Sequence, residues 1–169
     1  MQPCVCQSLN CLSYGLYIVT SADGATKNGL IVNTAFQVSA DPAKIAVCVC
    51  KNSFTHDIVL KSHILAVMPL EQATPMVFIG NFGFRTGRNY DKFAKVAYQI
   101  GQTGCPLVSE HTLSYIEARV SQTVDVGTHT LFIADVLDGN VFQLQGIPLT
   151  YEYYHTVIKG KTPAGATHL

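Results

Sequence analysis

Two hydroxyl side chains, Ser53 and Thr55, follow directly after an apolar run that ends at Cys50 or Lys51. Serine is a favoured helix cap, and hydroxyl groups and backbone N–H groups at the start of a helix bind phosphate and other anions. The segment from Asn52 to His56 therefore indicates an anion site, or more simply a helix whose start is capped by Ser53.

A histidine, His129, follows Gly127 at a point where a hairpin turn is expected. An imidazole at the rim of a sheet can donate to a carbonyl or a carboxylate, and it can change its charge near neutral pH. Either His129 belongs to a site of that kind, or it is a solvent-exposed turn residue.

Amide and hydroxyl side chains are frequent from Asn28 to Ser39, a segment whose pattern predicts a strand. Once buried, such groups need hydrogen-bond partners. A planar heteroaromatic ring with carbonyls and ring nitrogens would supply them. An edge strand facing water would carry the same residues without a ligand, and the sequence leaves both interpretations open.

Three cations, Arg85, Arg88 and Lys92, lie in the glycine-rich segment from Gly80 to Phe93, in a chain with only 11 Lys and Arg residues. Arginine binds phosphate through its planar fork and lysine as a point charge. The segment predicts either a phosphate-binding loop or a solvated surface loop. By contrast, Lys159 to Thr162 resembles the end of a P-loop but lacks its upstream glycine and its preceding strand, so we reject that motif.

Six cysteines divide into two groups. Cys48 and Cys50 lie in an apolar run, where thiols behave as small hydrophobic side chains. Cys4, Cys6 and Cys11 have a spacing that suits a tetrahedral zinc site poorly. No Cys-x-x-Cys is present, so we expect structural thiols and no metal.

These residues must be positioned by a mainly β fold. Val, Ile, Thr, Tyr and Phe are concentrated in predicted strands, which cover Tyr14–Ser21, Leu30–Ser39, Lys44–Cys50, Ile64–Leu70, Leu113–Val124 and Thr128–Leu137. Turns are expected at 23–24, 41–42, 101–104 and 138–140. In the hairpin from 113 to 137, one apolar face is predicted from Ile116, Ala118, Val120, Leu131 and Ile133.

Four short helices are also predicted. They are Phe54–Ser62, a helix with Pro75 at its first position that runs to about Phe82, Asn89–Ala94 and Thr150–Lys159. Strands without regular helical crossovers favour an antiparallel barrel with peripheral helices.

The composition excludes several classes of protein. Charged residues make up 13% of the chain, against ~25% in an ordinary soluble domain, and hydrophobic residues make up 48%. Disorder is therefore excluded, and 11 basic against 11 acidic residues leave no basic footprint for nucleic acid. The chain shows neither a spanning run of ~20 apolar residues nor a basic, apolar leader at its start, so we expect a cytoplasmic protein.

Eight segments together closely resemble the flavin-reductase-like FMN-binding split barrels. They are Leu12–Ser21, Asn28–Ser39, Lys44–Cys48, Asn52–His56, Thr74–Gly80, Asp91–Phe93, Asp125–Phe132 and Leu149–His155. The resemblance runs from about residue 12 to residue 163 in the family's order and spacing. Within the family, the chain is most similar to the archaeal ferric reductase branch and to the flavin-reductase domain of the high-molecular-weight rubredoxins.

The resemblance implies a six-stranded antiparallel split β-barrel of Greek-key type with a few short peripheral helices. It implies a homodimer that binds FMN near the subunit interface, which would also explain the shortage of surface charge. Residues 1–11 would be an N-terminal extension, 12–158 the FMN-binding domain and 159–169 a flexible tail.

The resemblance also implies roles for individual residues. The FMN phosphate would lie near Ser53 and Thr55, with Lys92 as its cationic partner. His129, in the element Gly127-Thr128-His129, would act on the nicotinamide side of the flavin as the catalytic residue. The side chains or backbone that line or approach the flavin ring would be those of Asn28, Asn33, Thr34, Ala35 and Tyr154.

The implied activity is that of an FMN-dependent NAD(P)H oxidoreductase, a flavin or ferric reductase. It would pass hydride from the nicotinamide to FMN, and electrons onward to ferric chelates, flavin, oxygen or a rubredoxin. A rubredoxin or another redox protein is a candidate partner as acceptor or donor; nucleic acid and membrane are not. Two alternatives remain, an electron-transfer flavoprotein like flavoredoxin that is reduced by a protein, and a thiol or metal module built on Cys4, Cys6 and Cys11.

Overall fold

The structure is a computed structural model that describes residues 8, 9 and 11–163. Over residues 11–163 it contains nine strands and three helices. The strands are β1 (Tyr17–Asp23), β2 (Thr26–Val32), β3 (Ala35–Ala40), β4 (Ala43–Cys50), β5 (Ile64–Pro69), β6 (Tyr98–Ile100), β7 (Pro106–Val108), β8 (Ser114–Asp125) and β9 (His129–Val141). The helices are α1 (Phe54–Ser62), α2 (Met76–Gly83) and α3 (Tyr151–Thr156). The prediction of a mainly β fold is confirmed.

Seven strands form one antiparallel sheet in the order β2-β1-β5-β8-β9-β4-β3, and β6 pairs with β7 as a separate hairpin. The edge strands β2 and β3 are separated in the chain only by Asn33 and Thr34. The sheet must therefore curl until its two edges meet, since a link of two residues spans only ~10 Å. The result is the predicted barrel, split between β2 and β3.

The predicted strand Leu30–Ser39 is wrong in one respect, because the chain breaks it into β2 and β3. At the break the Thr34 hydroxyl donates to Oδ1 of Asn33 at 3.1 Å, and the Thr34 carbonyl accepts from the amide of Cys48 in β4 at 3.0 Å. The sheet consequently has seven strands rather than six, and the count is six only if β2 and β3 are taken as one.

The turn expected at 138–140 is also wrong, because β9 runs through it to Val141. Gly139 lies opposite Ile116 in the hairpin. A Cβ at Gly139 would lie 3.0 Å from the Tyr115 carbonyl oxygen. The glycine therefore serves a close approach of two backbones within a sheet rather than a reversal of the chain.

The helix α1 is confirmed with its predicted bounds and with Ser53 as its cap. Pro75 is the N-cap residue of α2 rather than, as was predicted, its first helical residue. The helix α3 is shorter than predicted. The predicted helix Asn89–Ala94 is wrong. Asp91 instead accepts from the amide of Phe93 at 2.9 Å, and the side chain of Lys92 turns into the protein.

The barrel interior is a cluster of aliphatic side chains with Phe132 among them, and a second cluster lies between the sheet, α2 and α3. Ala118 faces the barrel interior with Ile116 and Val120 beside it, as predicted. On the return strand β9, the buried face is the opposite of the one predicted. Phe132 and Ala134 are buried, and the side chains of Leu131 and Ile133 are only half-buried.

Among the described residues, no helix has both the length and the apolar character that crossing a bilayer requires.

Candidate functional site

A cavity of about 620 Å³ lies where the end of β4, the start of α1, the loop after α2 and the chain after α3 come together. Its volume is in the range of small-molecule binding sites. Apolar side chains such as Ile31 and Phe82 line part of it, and amides and hydroxyls line the rest. The cavity can therefore hold a ligand with an apolar body and polar ends.

The charge in the cavity has one sign. Of the described residues that line it, none is Asp or Glu, and three carry a positive charge: Arg85, Lys92 and Lys161. The whole chain has no net charge. An anionic ligand is therefore favoured here by the local distribution of charge rather than by the composition of the protein.

The structure brings most of the predicted site residues to this cavity. Asn28, Asn33, Ser53, Thr55, Lys92, His129 and Tyr154 line it. Thr34 and Ala35 do not appear in its lining, because they lie at the link between β2 and β3, where Ala35 packs against the barrel core. From the cationic segment, Arg85 lines the cavity, while Arg88 pairs with Asp57 outside it at 2.6 Å.

The start of α1 is held in place by two hydrogen bonds. The Ser53 hydroxyl accepts from the amide of His56 at 3.2 Å, so the simple capping role is present. Asn28 of β2 donates from its Nδ2 to the Thr55 hydroxyl at 2.9 Å. Because the first N–H groups of a helix have no partner within it, this end of α1 is also suited to an anion.

The amine of Lys92 is buried, with only 4% of the residue exposed. Its Nζ donates to the carbonyls of Gly29 at 2.8 Å and Phe82 at 2.9 Å. Burial lowers the pKa of Lys92 from 10.5 to about 8, because no carboxylate compensates for the lost hydration of its charge. A phosphate in the cavity would restore the stability of the charged form.

His129 begins β9 opposite Cys50 and is 7% exposed. Its Nδ1 is hydrogen-bonded with the Thr128 hydroxyl at 2.8 Å, which orients the ring. The neighbouring His56 is buried, and its Nε2 is hydrogen-bonded with Thr130 at 2.8 Å. Burial lowers the pKa of His56 and favours its neutral form.

Cys48 and Cys50 also line the cavity, which their apolar run did not indicate. Burial raises the pKa of the Cys48 thiol, so it stays protonated at neutral pH. Cys4 and Cys6 lie outside the described residues, and Cys11 is exposed. Within the described part of the chain, no three His, Cys, Asp or Glu side chains are arranged to hold a metal.

The chain after α3 also contributes to the cavity, which its sequence did not indicate. Lys161, Thr162 and Pro163 line the cavity, although the segment from Lys159 to Thr162 was rejected as a P-loop. Tyr154 is buried, and its hydroxyl donates to the Lys161 carbonyl at 3.0 Å. Residues 164–169 of the predicted tail lie outside the described residues. The pattern that could have indicated this packing is the pair Tyr151 and Tyr154 followed by Gly160.

Comparison with known proteins relates this fold to one family. The flavin reductase like domain family matches residues 9–157. The chain is 49% identical to a ferric-chelate reductase (NAD(P)H) of Archaeoglobus fulgidus over 92% of each chain. It is 44% identical to a high molecular weight rubredoxin of Moorella thermoacetica, over 95% of this chain and 69% of that one.

A solved structure supports the architecture. The NADH:FAD oxidoreductase SgcE6 of Streptomyces globisporus superimposes with a TM-score of 0.77 at 21% identity, over 85% of this chain and 83% of that one. At this level of identity, the similarity establishes the fold.

The lowered pKa of Lys92 predicts how stability depends on pH. Between about pH 8 and pH 10.5 the unfolded chain retains the proton that folded Lys92 has lost. Raising the pH across this window therefore stabilises the folded protein, by up to about 3 kcal/mol from this group.

Denaturant unfolding of the ligand-free protein at several pH values would measure this rise in Lys92→Met and in the wild type. The difference in unfolding free energy between the two should grow with pH in favour of the wild type. The exposed Lys95 provides the control, since Lys95→Met should leave the pH dependence unchanged. Parallel pH profiles for the wild type and Lys92→Met would contradict the assignment.

Proposed function

Because the chain belongs to the flavin reductase like family, we propose that it is an NAD(P)H:flavin oxidoreductase that uses FMN. Its membership confirms the resemblance found in the sequence. The observation that carries the proposal is the cavity itself. It joins a helix N-terminus and a buried lysine to aromatic and amide-bearing walls, with no carboxylate among its described lining residues.

The residues present fit FMN at the phosphate end. Ser53, Thr55 and the first N–H groups of α1 would hold the phosphate, and Asn28 fixes Thr55 for that purpose. Lys92 would contribute its charge, since a nearby anion favours the protonated amine that burial disfavours. The two backbone carbonyls that accept from Nζ hold this amine at one place in either protonation state.

The wall of the cavity fits the flavin ring. The amide of Asn33 would bind the polar edge of the ring, and Phe82 and Tyr154 would border its apolar part. Thr34 and Ala35 would contribute through the backbone of the link between β2 and β3. Bound FMN would supply a ring that accepts hydride from a nicotinamide and releases electrons to an acceptor.

His129 would position the nicotinamide. It stands at the cavity with its ring oriented by Thr128, and burial keeps it out of bulk water. A ring held in this way can align a second planar group. Burial favours the neutral form of the neighbouring His56, which therefore adds no positive charge beside His129.

The domain boundaries and the acceptor also belong to the proposal. Residues 12–158 would form the FMN-binding domain, with residues 1–11 as an extension and 159–169 as a tail. Electrons would pass to a ferric chelate, free flavin, oxygen or a separate rubredoxin. The similarity to a ferric-chelate reductase and to a high molecular weight rubredoxin supports the first and the last of these acceptors.

A second copy of the chain would cover the outer face of β3, β4, β9 and β8. Phe36 and Val124 are 52% and 44% exposed there, and Leu131 and Ile133 are half-buried on the same face. Cys48 belongs both to this face and to the cavity lining. A homodimer built on this face would therefore place the FMN site near the interface, and it would account for the low surface charge.

Anaerobic addition of NADPH or NADH to the FMN-loaded protein tests the activity. The yellow absorbance of the flavin should disappear within seconds, and dithionite gives the signal of complete reduction as a control. If dithionite reduces the flavin but neither nucleotide does, the protein is an electron-transfer flavoprotein and the proposed activity is wrong.

Replacement of the imidazole tests His129. In His129→Ala, reduction by NADPH should slow by about tenfold or more, because the nicotinamide loses an aligned partner. FMN binding should change much less, since His129 is not assigned to the phosphate. His63, outside the cavity at a left-handed position with φ 56°, gives the control His63→Asn. Equal rates of reduction in His129→Ala and the wild type would show that His129 does not position the nicotinamide.

Light scattering tests the dimer. The wild type should have a mass near twice 18.3 kDa, and Val124→Asp should weaken association because it places a charge in an apolar interface. Leu144→Asp is the matched control, since Leu144 is 91% exposed and lies beyond the end of β9 at Val141. A wild type that is loaded with FMN and monomeric at micromolar concentration would contradict the proposal.

A further inference from the structure

The chain does not leave the fold after α3 but turns back onto it. The amide of Gly160 donates to the Tyr154 carbonyl at 2.9 Å, and the Tyr154 hydroxyl donates to the Lys161 carbonyl at 3.0 Å. The hydroxyls of Tyr151 and Thr162 are hydrogen-bonded to each other at 2.8 Å. Three contacts thus fix residues 160–162 against α3.

The close packing of this segment requires a glycine. A Cβ at Gly160 would overlap the ring of Tyr154. Lys159, just before it, has a left-handed backbone with φ 60°, which turns the chain back toward the helix. The position of Lys161 at the cavity is therefore set by the backbone, although its side chain is long and flexible.

The three cationic side chains of the cavity differ in the contacts that they already make within the protein. Lys92 is buried and donates to two carbonyls. The guanidinium of Arg85 lies 4.2 Å from the centre of the Tyr90 ring. Lys161 is exposed, and among the described residues no ion pair includes it.

We propose that Lys161 binds a phosphate of the nicotinamide nucleotide, so that residues 159–163 form part of the site for the electron donor. This inference rests on the proposed function. The flavin phosphate is provided for by α1 and the buried Lys92. An exposed cation at the solvent side of the cavity is suited to the ligand that binds and dissociates in each turnover, which is the nicotinamide nucleotide. This nucleotide also carries more than one phosphate.

Equilibrium binding of NADP⁺ to the FMN-loaded protein is the test, because the oxidised nucleotide binds without reacting. Lys161→Gln should raise the Kd for NADP⁺ by about three- to tenfold at low salt, as expected for the loss of an exposed phosphate contact. Lys161→Arg should restore most of the affinity. Lys95→Gln removes one exposed positive charge outside the cavity lining and should leave the Kd unchanged.

Two further measurements distinguish a phosphate of the nicotinamide nucleotide from the phosphate of FMN as the group that Lys161 binds. The Kd for FMN should be the same in Lys161→Gln and in the wild type. Reduction by a benzyl dihydronicotinamide, which has no phosphate, should also be unaffected, while reduction by subsaturating NADPH should slow. An unchanged Kd for NADP⁺ in Lys161→Gln would overturn the inference, as would a change confined to the Kd for FMN.

Gly160→Ala tests the role of the segment without touching the charge. The added methyl group should displace Lys161 and weaken NADP⁺ binding by a similar factor. Gly80→Ala is the control, because a Cβ at Gly80 would meet open space. Intact NADP⁺ binding in Gly160→Ala would contradict the positioning by Tyr154. If no nicotinamide reduces the wild type, the proposed function fails, whereas the inference about Lys161 is judged by NADP⁺ binding alone.

Discussion

The two-residue link between β2 and β3 is the constraint on which the rest of the structure depends. Since these strands are the two edges of one sheet, Asn33 and Thr34 can join them only if the sheet closes on itself. Closure brings β2, with Asn28 and the Gly29 carbonyl, against the start of α1 and the buried Lys92. The cavity is a direct consequence of this closure, because its walls come from segments distant in the chain.

Electrostatics then determines what the cavity accepts. A lysine buried against two carbonyls and without a carboxylate is more easily neutralised than an exposed one, which is why the pKa of Lys92 falls to about 8. A bound phosphate would reverse that effect, and the helix N-terminus would add to the attraction. Burial of Lys92 therefore destabilises its charged form in the ligand-free protein, and a bound anion would offset this. The exposed Lys161 lies at the surface and suits a ligand that exchanges.

Local features were predictable from the sequence, and features set by distant contacts were not. The cap at Ser53 and the bounds of α1 follow from side-chain chemistry within a few residues. The break at Asn33 was hidden because β-forming residues continue through it. Leu131 and Ile133 were assigned to the wrong face because both faces of β9 are apolar, one for the core and one for the proposed partner. Lys161 could not be placed, since its position depends on the ring of Tyr154 rather than on any motif.

The position of the FMN phosphate in a crystal structure of the flavin-loaded protein tests the central claim most directly. The account predicts a phosphate within hydrogen-bond distance of Ser53, Thr55 and the first amides of α1, with Nζ of Lys92 alongside. A phosphate bound instead at the solvent side by Arg85 or Lys161, with the start of α1 left to water, would contradict it.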